Sequence, residues 1–153
     1  KLFDDFHNSM ILVEADFNYG PFKNHESLLR YIDKMAKESQ EKNGFIFLAI
    51  VDEKPVGFIQ GIVKDHSKDD IRSMVIQSGP SIQGWIGELY VDFNYRSQGI
   101  GLALMKKAKL YFNSKHCTSI RLNVFYNNRV AVEFYEKFGL RRISLEMGGK
   151  LES

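Results

Sequence analysis

Two periods of hydrophobic and polar positions run along the chain. Residues 1–44 read as helical, with a break at Asn18-Tyr19-Gly20-Pro21 and a second helix beginning near His25-Glu26-Ser27. In that second helix Leu28, Leu29, Ile32, Met35 and Ala36 recur at three- and four-residue spacing, while Arg30, Asp33, Lys34, Lys37 and Glu38 lie mostly opposite. Such spacing predicts an amphipathic helix with one buried face, stopped by Asn43-Gly44. The pattern then shortens. Phe45–Val51 is a continuous apolar run of strand length, Asp52-Glu53-Lys54-Pro55 a turn, and residues 56–63 the returning arm of a hairpin. Gly57 and Gly61 inside that arm mark a bulge, a close backbone approach or a weaker strand.

Lys64–Gln83 reads as a long excursion, polar at first, with Ile71, Met74 and Val75 at helical spacing and Ser78-Gly79-Pro80-Ser81 at its end. Loops of this length tend to cover a substrate or meet a second subunit, although a solvated insertion fits equally well. Beyond it, residues 85–91 predict a strand, and residues 99–113 a helix with Ile100, Leu104, Ala108 and Tyr111 on one stripe. Residues 118–126 alternate as a strand. Asn127-Asn128 opens a helix carrying Val130, Ala131, Phe134, Tyr135 and Phe138 that stops at Gly139, and residues 140–147 read as a closing strand. This order of helices, hairpin, strand, helix, strand, helix, strand describes an α+β fold, a mixed sheet with helices on its faces.

Composition narrows the function more by exclusion than by assignment. At 153 residues, 44% hydrophobic and 26% charged, the chain fits a single domain from 1 to 153 with a sizeable core. A net charge of +2 gives no electrostatic argument for nucleic acid or an anionic membrane. No apolar run approaches the ~20 residues of a membrane helix. The lone Cys117 cannot form an internal disulfide, which favours a cytoplasmic setting. The chain opens on Lys1 rather than Met, so a short opening strand upstream is an expectation.

The stretch richest in candidate chemistry runs from Gly87 to Leu104, a strand, a tight glycine turn and the start of a helix. Such a turn leaves backbone N–H groups unpaired at the positive end of a helix dipole, a physical prescription for holding a phosphate. Gly99-Ile100-Gly101 does not complete the dinucleotide fingerprint, because Leu104 stands where the third glycine belongs, and no G-x-x-x-x-G-K-S/T run is present. What is present is Arg96-x-x-Gly99-x-Gly101 directly after the strand ending Leu89-Tyr90-Val91.

In this stretch the chain resembles the GNAT superfamily of acyl-coenzyme A dependent N-acyltransferases, whose pyrophosphate loop reads Arg/Gln-x-x-Gly-x-Gly/Ala. A second block agrees with it in order and distance: Leu122-x-Val124, then Asn128-x-x-Ala131-x-x-Phe134-Tyr135-Glu136-Lys137-Phe138-Gly139-Leu140. Phe93 departs from the proline often found after the strand, and Lys64–Gln83 is longer than the family's usual hairpin; both bear on substrate access. The resemblance implies a twisted, mostly antiparallel central sheet flanked by helices and splayed in the middle at the acyl-coenzyme A site. It also implies that the amides of Gln98, Gly99, Ile100, Gly101 and Leu102, with Ser97 in the turn and Arg96 as a nearby cation, hold the pyrophosphate. Main-chain groups along Leu89, Tyr90 and Val91 would bond the pantetheine arm and polarise the thioester carbonyl.

An amine acceptor with a pKa of about 10.4 must lose a proton before it attacks. Glu88, flanked by apolar residues and placed by alternation on the face of Ile86 and Tyr90, is the candidate base, directly or through a water; a charge on an exposed sheet face or a structural ion pair is the competing reading. By the resemblance, Tyr135 donates a proton to the departing thiolate and Asn128 contacts the coenzyme A arm; otherwise they read as core packing and a helix N-cap. Cys117 is rejected as a nucleophile, since only adjacent His116 is near it in sequence, and His7, His25, His66 and His116 show no metal-ligand spacing. The expected activity is therefore transfer of an acetyl group from acetyl-coenzyme A, without a metal, to a primary amine on a small molecule or a protein. The expected assembly is a monomer or homodimer. The rival reading is a non-catalytic acyl-coenzyme A sensing or interaction module.

Overall fold

The computed structural model describes residues 1–11, 22, 24–66 and 82–147. The break expected at 18–21 and the helical spacing around Ile71 lie outside the described residues. The chain forms two compact units, residues 1–123 and 124–153.

In the first unit, helices α1 (Leu2–Ile11) and α2 (His25–Glu41) precede a four-stranded sheet. Its strands are β1 (Phe45–Val51), β2 (Lys54–Asp65), β3 (Ile82–Val91) and β4 (Ser119–Leu122), in spatial order β1-β2-β3-β4. Helix α3 (Ile100–Ser114) connects β3 to β4. The first two pairings are antiparallel and the third parallel. Asn24 caps α2, its side-chain oxygen accepting from the Ser27 amide at 2.9 Å, which satisfies one of the helix's orphan donors. The β1–β2 turn is tighter than expected: Asp52 and Glu53, at φ 47° and 62°, form the two-residue connection whose twist suits a hairpin.

The sheet is covered on both faces. Phe6 of α1 packs with Phe58 and Tyr90 on one face, joined by Leu2 and Phe3. On the other face Phe112 of α3 lies against Phe45, with ring centroids 5.3 Å apart, beside the buried Met105 and Ala108. Leu28 and Met35 form the buried stripe of α2 that the spacing predicted. The buried stripe of α3 is Leu104, Met105, Ala108 and Phe112; Tyr111, expected on it, lies half-buried at its edge and donates to the Gly44 carbonyl at 2.9 Å.

The excursion read from Lys64 begins later than expected, because Lys64 and Asp65 still pair with Gln83 and Ile82. Strand β4 ends at Leu122, well short of Tyr126. Its ladder with β3 runs only from Gln83–Ser119 to Ile86–Leu122, and β3 continues past it to Val91.

The second unit holds α4 (Arg129–Lys137). Asn128 caps it, accepting from the Ala131 amide at 3.2 Å, and Gly139 at φ 99° ends it with the Leu140 amide bonded to the Tyr135 carbonyl at 3.0 Å. The strand expected over 140–147 does not form. A strand requires a ladder partner, and none lies within this unit among the described residues.

Candidate active site

Antiparallel register decides which way each group of β3 points. The Asp92 amide donates to the Val56 carbonyl at 2.8 Å, which makes Gly57–Val91 a non-hydrogen-bonded pair, Phe58–Tyr90 a bonded pair and Ile59–Leu89 again non-bonded. The main-chain groups of Leu89 and Val91 are therefore turned away from β2, on the side where the β4 ladder has already ended. Those of Tyr90 are engaged with Phe58, and its side chain packs beside Phe6 at a centroid distance of 5.8 Å. Arg96 folds back on this strand end, its Nε donating to the Val91 carbonyl at 3.0 Å and its guanidinium lying 5.8 Å from the Tyr90 ring centroid and 5.7 Å from that of Phe93.

Following β3, the short 3-10 turn Phe93–Tyr95 and the residues 96–99 lead into α3. Ser97 sits at φ 60° and Gly99 at φ 83°, left-handed conformations that reverse the chain sharply. Gly99 is the N-cap of α3 and brings no side-chain cap. Ala103 donates to the Gly99 carbonyl at 2.9 Å, so the amides of Ile100, Gly101 and Leu102 precede the first helical bond. A Cβ at residue 99 would meet nothing within 4 Å, so glycine is needed there for its conformation and the space beside it is open. These amides, at the positive end of a fifteen-residue helix, form a cradle suited to a phosphate.

Glu88 lies opposite Gln60, but Gly61 pairs with Ile86, so Gly87 is an extra residue in β3. This bulge changes the face assignment made from alternation. Gly61 and Gln60 point to opposite faces, and so do their partners: Ile86 faces α3, whereas Glu88 and Tyr90 share the face covered by α1 and α2. There Tyr31 of α2 donates its phenol proton to Glu88 Oε1. Burial pushes the Glu88 carboxyl above the usual carboxylate range; the Tyr31 bond and the nearby His7 of α1 pull it partly back. Phe22 completes an aromatic wall, stacked on His7 at 4.0 Å and 5.4 Å from Tyr31.

Tyr31 and His7 were not among the residues singled out from the sequence. Tyr31 carried a usable signal: it lies on the Leu28–Met35 stripe, and a buried phenol requires a polar partner. His7 carried none. The structure thus gathers Glu88, Leu89–Val91 and Arg96–Leu102 in the first unit. Asn128, the N-cap of α4, and Tyr135, on that helix, lie in the second unit, with Tyr135 5.3 Å from the Phe134 ring. Burial raises the Cys117 thiol, which weakens it as a nucleophile. Among the described residues there is no cluster of three or more metal-ligating side chains, and no helix is long and apolar enough to cross a membrane.

The sequence profile described as the acetyltransferase (GNAT) family matches residues 9–140. The chain belongs to the GNAT family. It is 30% identical over 109 residues to the uncharacterized N-acetyltransferase MJ1207 of Methanocaldococcus jannaschii, a match covering 71% of this chain and 44% of that protein. The chain thus spans less than half the length of that relative. Among solved structures, a mutant of the BH1408 protein from Bacillus halodurans superposes with a TM-score of 0.79 at 19% identity, covering 99% of this chain and 90% of the other. An aminoglycoside N-acetyltransferase AAC(6')-Iy in complex with CoA gives 0.63 at 13% identity, over 84% and 90%. These two share the fold of this chain, with the mixed, mostly antiparallel sheet expected from the sequence.

Proposed function

We propose that the chain is an N-acetyltransferase that moves an acetyl group from acetyl-coenzyme A to a primary amine by direct attack in a ternary complex. The observation that carries this reading is the juxtaposition, on one strand and the turn after it, of outward-facing main chain at Leu89 and Val91, an uncapped helix N-terminus from Gly99 to Leu102, and a half-buried carboxylate at Glu88. The family match and the CoA-bound neighbour support the choice of co-substrate.

When bound, acetyl-coenzyme A supplies an acyl carbon already activated as a thioester. The amides of Gln98–Leu102, with the Arg96 guanidinium as a nearby cation, would hold the pyrophosphate, and Leu89 and Val91 would present backbone groups to the arm and to the carbonyl. Glu88 Oε would accept a proton from the ammonium of the acceptor, the amine nitrogen would bond the acyl carbon, and as the carbon–sulfur bond breaks the nitrogen would release its second proton to solvent while the thiolate takes one from Tyr135, whose phenolate is reprotonated by solvent. Asn128 and Tyr135 take the roles that the resemblance implies, contact with the coenzyme A arm and proton donation to the thiolate. The acceptor is a small molecule or a protein amino group, met on the α1–α2 side where Glu88 faces.

Glu88→Gln tests the assignment. Loss of a general base lowers turnover by about a hundredfold or more, and the residual rate climbs with pH as the free amine fraction grows. Wild-type turnover with an unchanged pH profile would remove Glu88 from the mechanism. Cofactor-dependent stabilisation with no turnover on any amine would instead identify a sensing module.

A further inference from the structure

We propose that the buried Ser39–Gln60 pair is the device that sets the β3 bulge at Gly87 and so holds Glu88 on the α2 face. Gln60 and Ser39 are thus positioning residues for the reaction, an inference that rests on Glu88 being the base. Gln60 stands among Phe58, Ile59 and Ile62 in the middle of the sheet and is only 4% exposed, with Ser39 at 5%. A leucine would satisfy that pattern more simply, since a buried amide is tolerated only where its hydrogen bonds are met.

The bonds are met by α2. Gln60 Nε2 donates to Ser39 Oγ at 3.0 Å, and Ser39 Oγ donates to the Met35 carbonyl at 2.9 Å. The other end of the same amide defines the bulge. A Cβ on residue 87 would overlap Gln60 Oε1, so a larger residue there would displace the amide, whose oxygen occupies the side-chain space that glycine leaves open. The register slips between Gln60 and Gly61, and Glu88 is the residue directly opposite Gln60.

Helix α2 therefore touches the two members of one cross-strand pair. Tyr31 holds Glu88 and Ser39 holds Gln60. Tyr31 and Ser39 are eight residues apart, about two turns, and so lie on the same stripe as Leu28 and Met35. The groups facing Glu88 are Tyr31 from α2 and His7 from α1, with Gln60 beside it on β2. The Ser39–Gln60 bond is the side-chain link between the C-terminal half of α2 and the centre of this strand pair. Without it the bulge is free to shift register, and a one-residue shift would turn Glu88 toward the opposite face.

Two variants test this: Gln60→Leu, which keeps bulk and removes the amide, and Ser39→Ala, which removes its partner and leaves β2 untouched. Each is read by kcat and KM for a responsive amine, KM for acetyl-coenzyme A, and NMR titration of the Glu88 carboxyl, assigned with Glu88→Gln. The expected result is an unchanged KM for acetyl-coenzyme A and a kcat about tenfold to a hundredfold lower, the scale of a misplaced catalytic group. The Glu88 midpoint should fall toward the ordinary carboxylate value as water enters. The double variant should be no worse than the more severe single one, because both break one bonded chain. Unchanged kcat and midpoint in Ser39→Ala would overturn the proposal, and should Gln60→Leu fail to fold, Ser39→Ala decides alone. If Glu88→Gln itself keeps full turnover, the base reading fails instead, and the midpoint in Ser39→Ala still decides whether the pair positions Glu88.

Discussion

In the proposed mechanism, burial and the Tyr31 hydrogen bond together tune the carboxyl of Glu88. The folded environment raises the Glu88 carboxyl through burial and lowers it through the Tyr31 phenol. With Glu88 as the proposed base, which must be ionised, activity is expected to rise as pH passes upward through this group's titration, on a limb that burial moves above the range of a solvated carboxylate. Tyr31→Phe removes a bond that favours the ionised form. Its kcat–pH profile should therefore shift its acid limb to higher pH and converge on wild type above it; an unshifted limb would separate Tyr31 from the base. Tyr135→Phe should slow acetyl transfer by about a hundredfold, the lower range for a lost general acid, with cofactor affinity retained. Wild-type rates would assign Tyr135 to packing beside Phe134. Glu88 itself was legible as a carboxylate in an apolar run. Its face was not, because alternation assumes an unbroken pleat and the bulge depends on Gln60, far away in sequence. The helical period placed Tyr31 on the buried stripe but could not name its partner, which is 57 residues distant.

The strand-turn-helix formed by β3, residues 92–99 and α3 converts that local chemistry into a site. Its glycine turn was readable because a left-handed N-cap favours one residue type, and Gly99 meets that requirement at φ 83°. Gly99→Ala should cost about 1–2 kcal/mol of stability through left-handed strain. It should also weaken acetyl-coenzyme A binding without moving the pH profile, as read by thermal melting and KM. A variant with wild-type KM would place the pyrophosphate elsewhere. The helix is anchored by Phe112, 1% exposed and fitted against the backbone at Gly84. Strand ends were less legible than strand centres. Lys64 and Asp65 look like loop residues, yet they pair across to Gln83 and Ile82. Residues 140–147 alternate like a strand and form none, because alternation reports which face would be apolar and says nothing about whether a partner is present.

At the scale of the molecule, the first unit is a sheet held between α1 and α2 on one face and α3 on the other, and each face has its own task. The α3 face supplies packing and orients the phosphate cradle. The α1–α2 face carries Glu88, Tyr31, His7 and Phe22, the groups an amine would meet. The family block from Gly87 to Leu140 made the fold and the glycine turn readable in advance, whereas the surroundings of Glu88 are assembled from distant helices whose side chains follow no motif. The most direct test of the whole account is thermal melting of wild type and Glu88→Gln with saturating acetyl-coenzyme A, paired with thiol release on a panel of primary amines. A ligand that binds only the folded state at a hundred times its Kd adds about 2.7 kcal/mol. The account predicts this stabilisation in both proteins, and amine-dependent thiol release that falls about a hundredfold in Glu88→Gln. Melting unchanged by acetyl-coenzyme A in the wild type would contradict it.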